Sequence, residues 1–110
     1  MTPNPSAKEL IETLVWDGVT VEVRYDPDWS SLSKLGADRQ IAHIELQVLE
    51  PMGAPLPVTE TGYRSHFLPP EEVNVAGGPL AYVRRWLGEE ERKPAWRRAD
   101  MARRQLDLFR

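Results

Sequence analysis

The tightest constraint on the fold is an Asp-Gly pair between two runs of alternating residues. Asp17-Gly18 separates residues 13–16 from residues 19–25. A two-residue hairpin turn needs positive φ at both central positions, and Asp-Gly is one of the pairs that adopt it most readily. Apolar and polar side chains alternate along 19–25, so one face of the predicted hairpin is buried and the other is solvated. The pair therefore predicts an antiparallel sheet with a core on one side.

Two further strands are predicted downstream. Residues 41–49 alternate in the same way and place His43 on the wetter face. The following segment, 50–57, contains three prolines, which remove donors from a sheet ladder, so it is predicted to be a connection. A fourth strand is predicted at 62–68. Its alternation sends Tyr63, Ser65 and Phe67 to one face and Arg64, His66 and Leu68 to the other.

The last third of the chain is predicted to be helical. Residues 71–73 indicate only a short turn. Residues 79–91 form a predicted amphipathic helix, because proline follows glycine at the first position and apolar residues recur at helical spacing. Pro94 breaks this helix and restarts another that runs to about Leu106. The predicted fold class is α+β: a small antiparallel β-meander of three or four strands packed against one or two C-terminal helices, the first of which covers the apolar face of the sheet.

The chain is predicted to have three parts. Residues 1–6 are a flexible N-terminal arm, residues 7–104 a single α+β domain, and residues 105–110 a C-terminal docking peptide. Residues 6–9 have the spacing of a capping box, so a short helix could begin there instead. A solvated loop is expected at 29–40, which is polar and irregular.

Composition narrows the chemistry. The 110 residues are 41% apolar and 28% charged, as in one ordinary globular domain. There is no cysteine, and the two histidines are far apart, so no disulfide and no zinc-site spacing can be drawn. No cofactor or metal is expected. A secretory signal and a long apolar run are both missing, so a cytoplasmic location without membrane contact is expected.

The densest group of polar and titratable side chains lies at 59–67. Its candidate site residues are Glu60, Tyr63, Arg64 and His66. They could bind an anion, or His66 could act as a base oriented by Glu60. The stronger expectation is a solvated strand face on which Arg64 and His66 pair with an acid such as Glu45. No convincing nucleophile, metal set or phosphate-binding glycine loop accompanies the group.

The charge is unevenly distributed. Residues 1–83 contain five basic and twelve acidic residues, whereas residues 84–110 contain nine basic and five acidic ones. Arginines in this basic tail could contact phosphates, and an exposed Trp86 or Trp96 could stack on a base. Acidic residues interrupt the tail, however, and both tryptophans are expected in the core. The candidate nucleic-acid-binding residues are Arg97, Arg98, Arg103 and Arg104.

The chain finishes with a short apolar motif. Gln105-Leu106-Asp107-Leu108-Phe109 resembles the peptide that tethers replication and repair proteins to the bacterial sliding clamp. The resemblance implies an extended peptide whose Gln amide hydrogen-bonds to a groove wall and whose Leu and Leu-Phe side chains fill two apolar pockets. The alternative is that Leu106 ends the apolar stripe of a terminal helix and that Leu108 or Phe109 folds back on the core. The stripe would contain Ala95, Ala99 and Ala102.

A second resemblance covers most of the chain. Residues 57–67, with 16–19 upstream and 78–83 downstream, resemble short proteins of plasmids and integrating elements of GC-rich bacteria. It implies no activity but favours a role connected with DNA. The sequence therefore predicts a non-enzymatic, mobile-element accessory protein that docks on the sliding clamp through its C-terminal peptide. The alternatives are a DNA-binding accessory protein that uses the arginine-rich helix, and an enzyme centred on Glu60, Arg64 and His66.

Overall fold

Four strands are followed by three helices. The computed structural model describes residues 9–29 and 40–108. The strands pair antiparallel in one sheet in the order β1-β2-β3-β4, which confirms the predicted α+β meander. The predicted arm, three of the four capping-box residues, 6–8, and most of the predicted loop, 30–39, lie outside the described residues. The elements are β1 (Leu10–Trp16), β2 (Val19–Asp26), β3 (Ala42–Glu50), β4 (Tyr63–Leu68), α1 (Pro70–Ala76), α2 (Pro79–Glu91) and α3 (Pro94–Leu108).

The β1–β2 hairpin turns at the predicted Asp-Gly pair. The φ angle is 49° at Asp17 and 79° at Gly18, so both central positions have the positive φ that such a turn requires. The turn fixes the register, with Trp16 opposite Val19 and Leu14 opposite Val21. This register places Leu14 and Trp16 of β1 on the same face as the apolar residues of β2, whereas Ile11 and Val15 lie on the other face and are exposed.

The core fills the space between that face and two helices. Val83 and Leu87 of α2 and Val73 of α1 are fully buried in one cluster with residues of all four strands. Leu56 and Val58 of the β3–β4 connection belong to the same cluster. The proline-rich connection is therefore not only a link, because it also closes one side of the core. As predicted, the helix that starts at residue 79 covers the apolar face.

α1 replaces the short turn predicted at 71–73. Two acidic residues, Glu71 and Glu72, lie in its first turn, where the positive end of the helix dipole stabilises carboxylates. The helix ends at Ala76 and is capped by Gly77, which has a φ of 103°. Val73 anchors it in the core. The structure therefore has three C-terminal helices and not the predicted one or two. A helix of seven residues with one fully buried side chain shows too little periodicity to be recognised in the sequence.

α3 touches the rest of the fold through few side chains. The rings of Trp96 and Trp16 are 6.0 Å apart, and Arg104 forms a 3.3 Å ion pair with Asp17 of the hairpin turn. Trp86 packs against the core, as expected, but the half-buried Trp96 is not part of that cluster. The molecule measures 56 × 33 × 18 Å, and its radius of gyration is 16.1 Å. A compact domain of this length has about 13 Å, so the shape is elongated.

Candidate functional site

A groove of about 840 Å³ runs between the β3–β4 connection and the junction of α2 with α3. Three of the four residues of the predicted polar site, Glu60, Tyr63 and Arg64, line it. Lys93 and Arg103 contribute two further cations. The structure thus brings most of the predicted polar site to one surface, but His66 is not part of the lining.

Arg64 and His66 share a strand face, as predicted, but it is the face covered by α2. The Arg64 guanidinium lies 5.6 Å from the centre of the Trp86 ring and donates a 3.2 Å hydrogen bond to the Val58 carbonyl. The His66 ring lies 4.6 Å from the same indole. Glu45 is on the opposite face, so the predicted pairing of Arg64 and His66 with it is wrong. Because β4 is an edge strand, its covered face meets the rim of the core, where long polar side chains can pack their stems and keep their ends in water.

His66 is separated from its proposed partner Glu60. Its Nε2 lies 3.4 Å from the Tyr82 hydroxyl, and no hydrogen bond or ion pair joins it to Glu60 among the described side chains. Burial lowers the pKa of His66 below its ordinary value, and the positive charge of Arg64 acts in the same direction, while Glu72 opposes both. Within the described ranges no group of three or more His, Asp or Glu could hold a metal ion. The hydrogen bond between Glu60 and His66 that would orient the base is therefore not formed among the described residues.

Tyr63 connects the groove with the uncovered face of the sheet. Its hydroxyl donates a 2.8 Å hydrogen bond to a carboxylate oxygen of Glu45 on β3. This hydrogen bond is the main reason that the pKa of Tyr63 lies above its ordinary value, because only the protonated phenol can donate it. The side chain is nevertheless exposed over 44% of its surface. Tyr63 therefore belongs to a surface and not to the core.

The four candidate arginines of the tail have different surroundings. Arg103 lies 4.6 Å from the centre of the Trp96 ring. Arg104 forms a 2.9 Å salt bridge within α3, in addition to its contact with the hairpin turn. Arg97 and Arg98 are exposed, and neither has an ion pair with another described residue. Two of the four guanidinium groups are therefore available to a partner.

The proposed docking residues begin inside α3. Gln105 and Leu106 are exposed, and Leu106 keeps 66% of its surface accessible. The predicted alanine stripe of the helix is largely exposed as well, so no core covers it. The helix continues to Leu108, and the predicted domain boundary after residue 104 falls inside it. Phe109 and the side chains of residues 107 and 108 lie outside the described part of the structure.

An aromatic cluster on the uncovered sheet face was not identified from the sequence. It consists of Trp29, His43 and Phe67. The rings of Trp29 and Phe67 meet edge to face with centroids 4.9 Å apart, and the His43 ring is 4.7 Å from Phe67. The backbone N–H of Trp29 donates a 3.0 Å hydrogen bond to the Ile41 carbonyl, which holds Trp29 beside β3. About half of the surface of Trp29 and of Phe67 remains exposed, 53% and 50% respectively.

The chain matches a known family over most of its length. Residues 11–96 match the family described as the KlcB third domain. This match covers well over half of the chain, so the chain belongs to the KlcB third-domain family. KlcB is a plasmid-borne protein, in agreement with the resemblance to plasmid proteins. The match ends at Trp96, before the docking residues. No curated protein and no solved structure gives a match to the chain. Within the described residues, no helix is both long and apolar enough to cross a lipid bilayer.

Proposed function

We propose that the protein is a non-enzymatic interaction module that docks on the bacterial replication sliding clamp through Gln105, Leu106, Leu108 and Phe109. The observation that carries the proposal is the exposure of Leu106 beside an exposed Gln105. A large apolar side chain left in water, next to an amide that can hydrogen-bond, suits recognition by a few anchors. The plasmid origin of the family supports a role close to DNA replication.

Docking as an extended peptide requires the last turn of α3 to unwind. The carbonyls of a terminal turn lack partners within the helix, so unwinding from Gln105 onward breaks few hydrogen bonds. The Gln105 side chain forms no hydrogen bond with another described residue, and the Leu106 side chain is exposed. The contacts of α3 with the body lie upstream, at Trp96 and Arg104, and can persist while the end of the helix changes conformation.

The positive charge of α3 also supports docking on an acidic partner surface. Arg97 and Arg98 are exposed on α3, about two turns before the docking residues. Cationic side chains beside a docking peptide raise the rate of association with an acidic surface more than they raise the final affinity. We therefore expect binding to weaken as the salt concentration rises, chiefly through slower association.

The test uses the full chain and a purified bacterial sliding clamp in isothermal titration or biolayer interferometry. The variant Leu108→Ala/Phe109→Ala removes two of the apolar anchors. If these are hot-spot residues, each contributes about 2 kcal/mol or more, so the Kd should rise by about thirtyfold for one lost anchor and by roughly several hundredfold if the two losses add. Far-UV circular dichroism of the variant verifies that the remaining helices are intact.

Met52→Ala is the matched control. Met52 is an apolar side chain with 94% of its surface exposed, and it lies in the β3–β4 connection rather than on α3. It should leave the Kd for the clamp unchanged. Absence of binding by the wild-type chain, or equal binding by the wild type and the double variant, would overturn the proposal.

Direct DNA binding is the second candidate function, favoured by the unpaired state of Arg97 and Arg98 among the described residues. Its mark is a steep dependence of affinity on salt, because bound phosphates release counterions. Arg97→Gln/Arg98→Gln should reduce the slope of log K against log salt by about two. Binding that does not depend on salt, or a slope that the double variant leaves unchanged, would remove this candidate.

A further inference from the structure

The uncovered face of the sheet is aromatic and acidic at the same time. Around the aromatic cluster, the register sets Asp26 opposite His43 and Arg24 opposite Glu45, and opposite residues of paired strands point to the same side. Glu22 completes this set of charges, and its carboxylate lies 2.9 Å from Arg24. With Glu9, whose carboxylate lies 3.7 Å from Arg24, four carboxylates thus face one guanidinium that is already paired. Aromatic rings with surplus negative charge attract cations and disfavour phosphate groups.

The outward side of α3 has the complementary chemistry. Arg97 and Arg98 are exposed and unpaired among the described residues, and Met101 has 65% of its surface exposed. Guanidinium groups stack on aromatic rings and pair with carboxylates, while a thioether packs well against ring edges. The inner side of the same helix is held against the hairpin by Trp96. The outward side is therefore presented to a partner.

The two surfaces cannot meet within one chain. α3 is held at Trp16 and Asp17, at the turn end of the hairpin, and Trp16 packs against the core on the covered side. The aromatic cluster lies on the opposite face, beside Asp26 at the far end of β2. The eight residues of β2 separate the two ends by roughly 23 Å at about 3.3 Å per residue. α3 would have to leave both contacts and cross the sheet to reach its own cluster.

We propose that the occupant of the aromatic cluster is a second copy of this chain. The outward side of α3, with Arg97, Arg98 and Met101, docks on the aromatic cluster and its carboxylates in the partner. Two such contacts related by a twofold axis form a closed dimer. The acidic body and basic tail of the sequence support this association between copies. The inference goes beyond clamp docking and does not rest on it, because the contact uses none of the residues 105–109 and shares only Arg97 and Arg98 with the clamp proposal.

The first measurement is the absolute mass of the full chain by light scattering or sedimentation equilibrium as a function of concentration. The mass should rise from 12.6 kDa towards twice that value, and the association should weaken with salt. Trp29→Ala and Arg97→Ala/Arg98→Ala should each raise the dissociation constant by at least about tenfold. Urea unfolding of each variant verifies that the fold is retained, since all three side chains are exposed.

Two controls make the test specific. Arg84→Ala/Arg85→Ala removes the same charge from exposed positions on α2 and should leave the dissociation constant unchanged. A mixture of the Trp29→Ala chain with the Arg97→Ala/Arg98→Ala chain restores one complete contact, so heterodimers should form more readily than either homodimer. A mass that stays at 12.6 kDa at every concentration, or a dimer insensitive to both variants, would overturn the inference.

Discussion

Gly62 is the position where one added methyl group should be most informative. It lies where the β3–β4 connection re-enters the sheet, has a φ of +83°, and its carbonyl accepts a 2.8 Å hydrogen bond from the Val48 N–H. A Cβ at this position would lie 2.9 Å from the backbone oxygen of Ala54 and 3.2 Å from the Cβ of Val48. Both neighbours belong to the sheet or its closing connection. The backbone on one side or the other would therefore have to move.

The expected loss of stability in Gly62→Ala has two parts. Left-handed φ costs an L-residue about 1–2 kcal/mol, and overpacking of a well-packed site costs about 1–3 kcal/mol more. Gly53 separates the two parts, because its φ is +75° but an added methyl group would meet no atom within 4 Å. Gly53→Ala should thus lose only about 1–2 kcal/mol, and Gly62→Ala about 2–5 kcal/mol.

Urea unfolding followed by tryptophan fluorescence and far-UV circular dichroism measures both variants. Equal m-values in the two variants and the wild type would show that the surface exposed on unfolding is the same, so the midpoints report stability alone. A Gly62→Ala variant no less stable than Gly53→Ala would refute the reasoning. It would mean that the connection yields to the methyl group and does not close the core rigidly.

Three further predictions concern the core, a titrating group and the terminal helix. Leu87→Ala should cost about 2–5 kcal/mol in urea unfolding, whereas Val75→Ala, at an exposed position, should stay within about 0.5 kcal/mol; equal effects would place the core elsewhere. Burial and Arg64 hold the pKa of His66 below 6.5, so on acidification the unfolded chain binds a proton before the folded one does. The free energy of unfolding should therefore fall as the pH falls below 6.5. His66→Gln should flatten this pH dependence of the urea midpoint. Trp96→Ala should speed amide hydrogen exchange in α3 while the sheet amides keep their rates; faster exchange throughout would show that α3 supports the whole fold.

Local chemistry explains which parts of the fold could be predicted. Asp17-Gly18 determines its turn by backbone conformation alone, and Pro79 and Pro94 start helices for the same kind of local reason. The face that a strand buries is a different matter. In β4 the aromatic Tyr63 and Phe67 lie on the uncovered face, while Arg64 and His66 lie under α2, the reverse of what polarity suggests. Neighbouring elements decide this, because an edge strand can place long polar stems along the rim of a core.

The aromatic cluster shows a second limit of sequence reasoning. Alternation places His43 and Phe67 on strand faces, but it cannot tell that β3 and β4 set them opposite each other. Trp29 comes from a turn and reaches them through a backbone hydrogen bond to Ile41, twelve residues along the chain. Contacts between distant segments depend on tertiary pairing, which no local pattern records. The C-terminal motif is the converse, since its proposed role comes from five adjacent letters, and the fold adds the exposure of Gln105 and Leu106.

The elongated shape has a practical consequence for experiments on the protein in solution. A molecule with a radius of gyration of 16.1 Å experiences more friction than a sphere of equal mass, because α3 extends beside the hairpin and not over the core. On a calibrated gel-filtration column, a single chain will elute ahead of compact proteins of 12.6 kDa. An early peak alone will therefore imitate self-association, and a more compact dimer could elute closer to its monomer than its mass suggests. Hydrodynamic size and mass have to be measured separately for this fold.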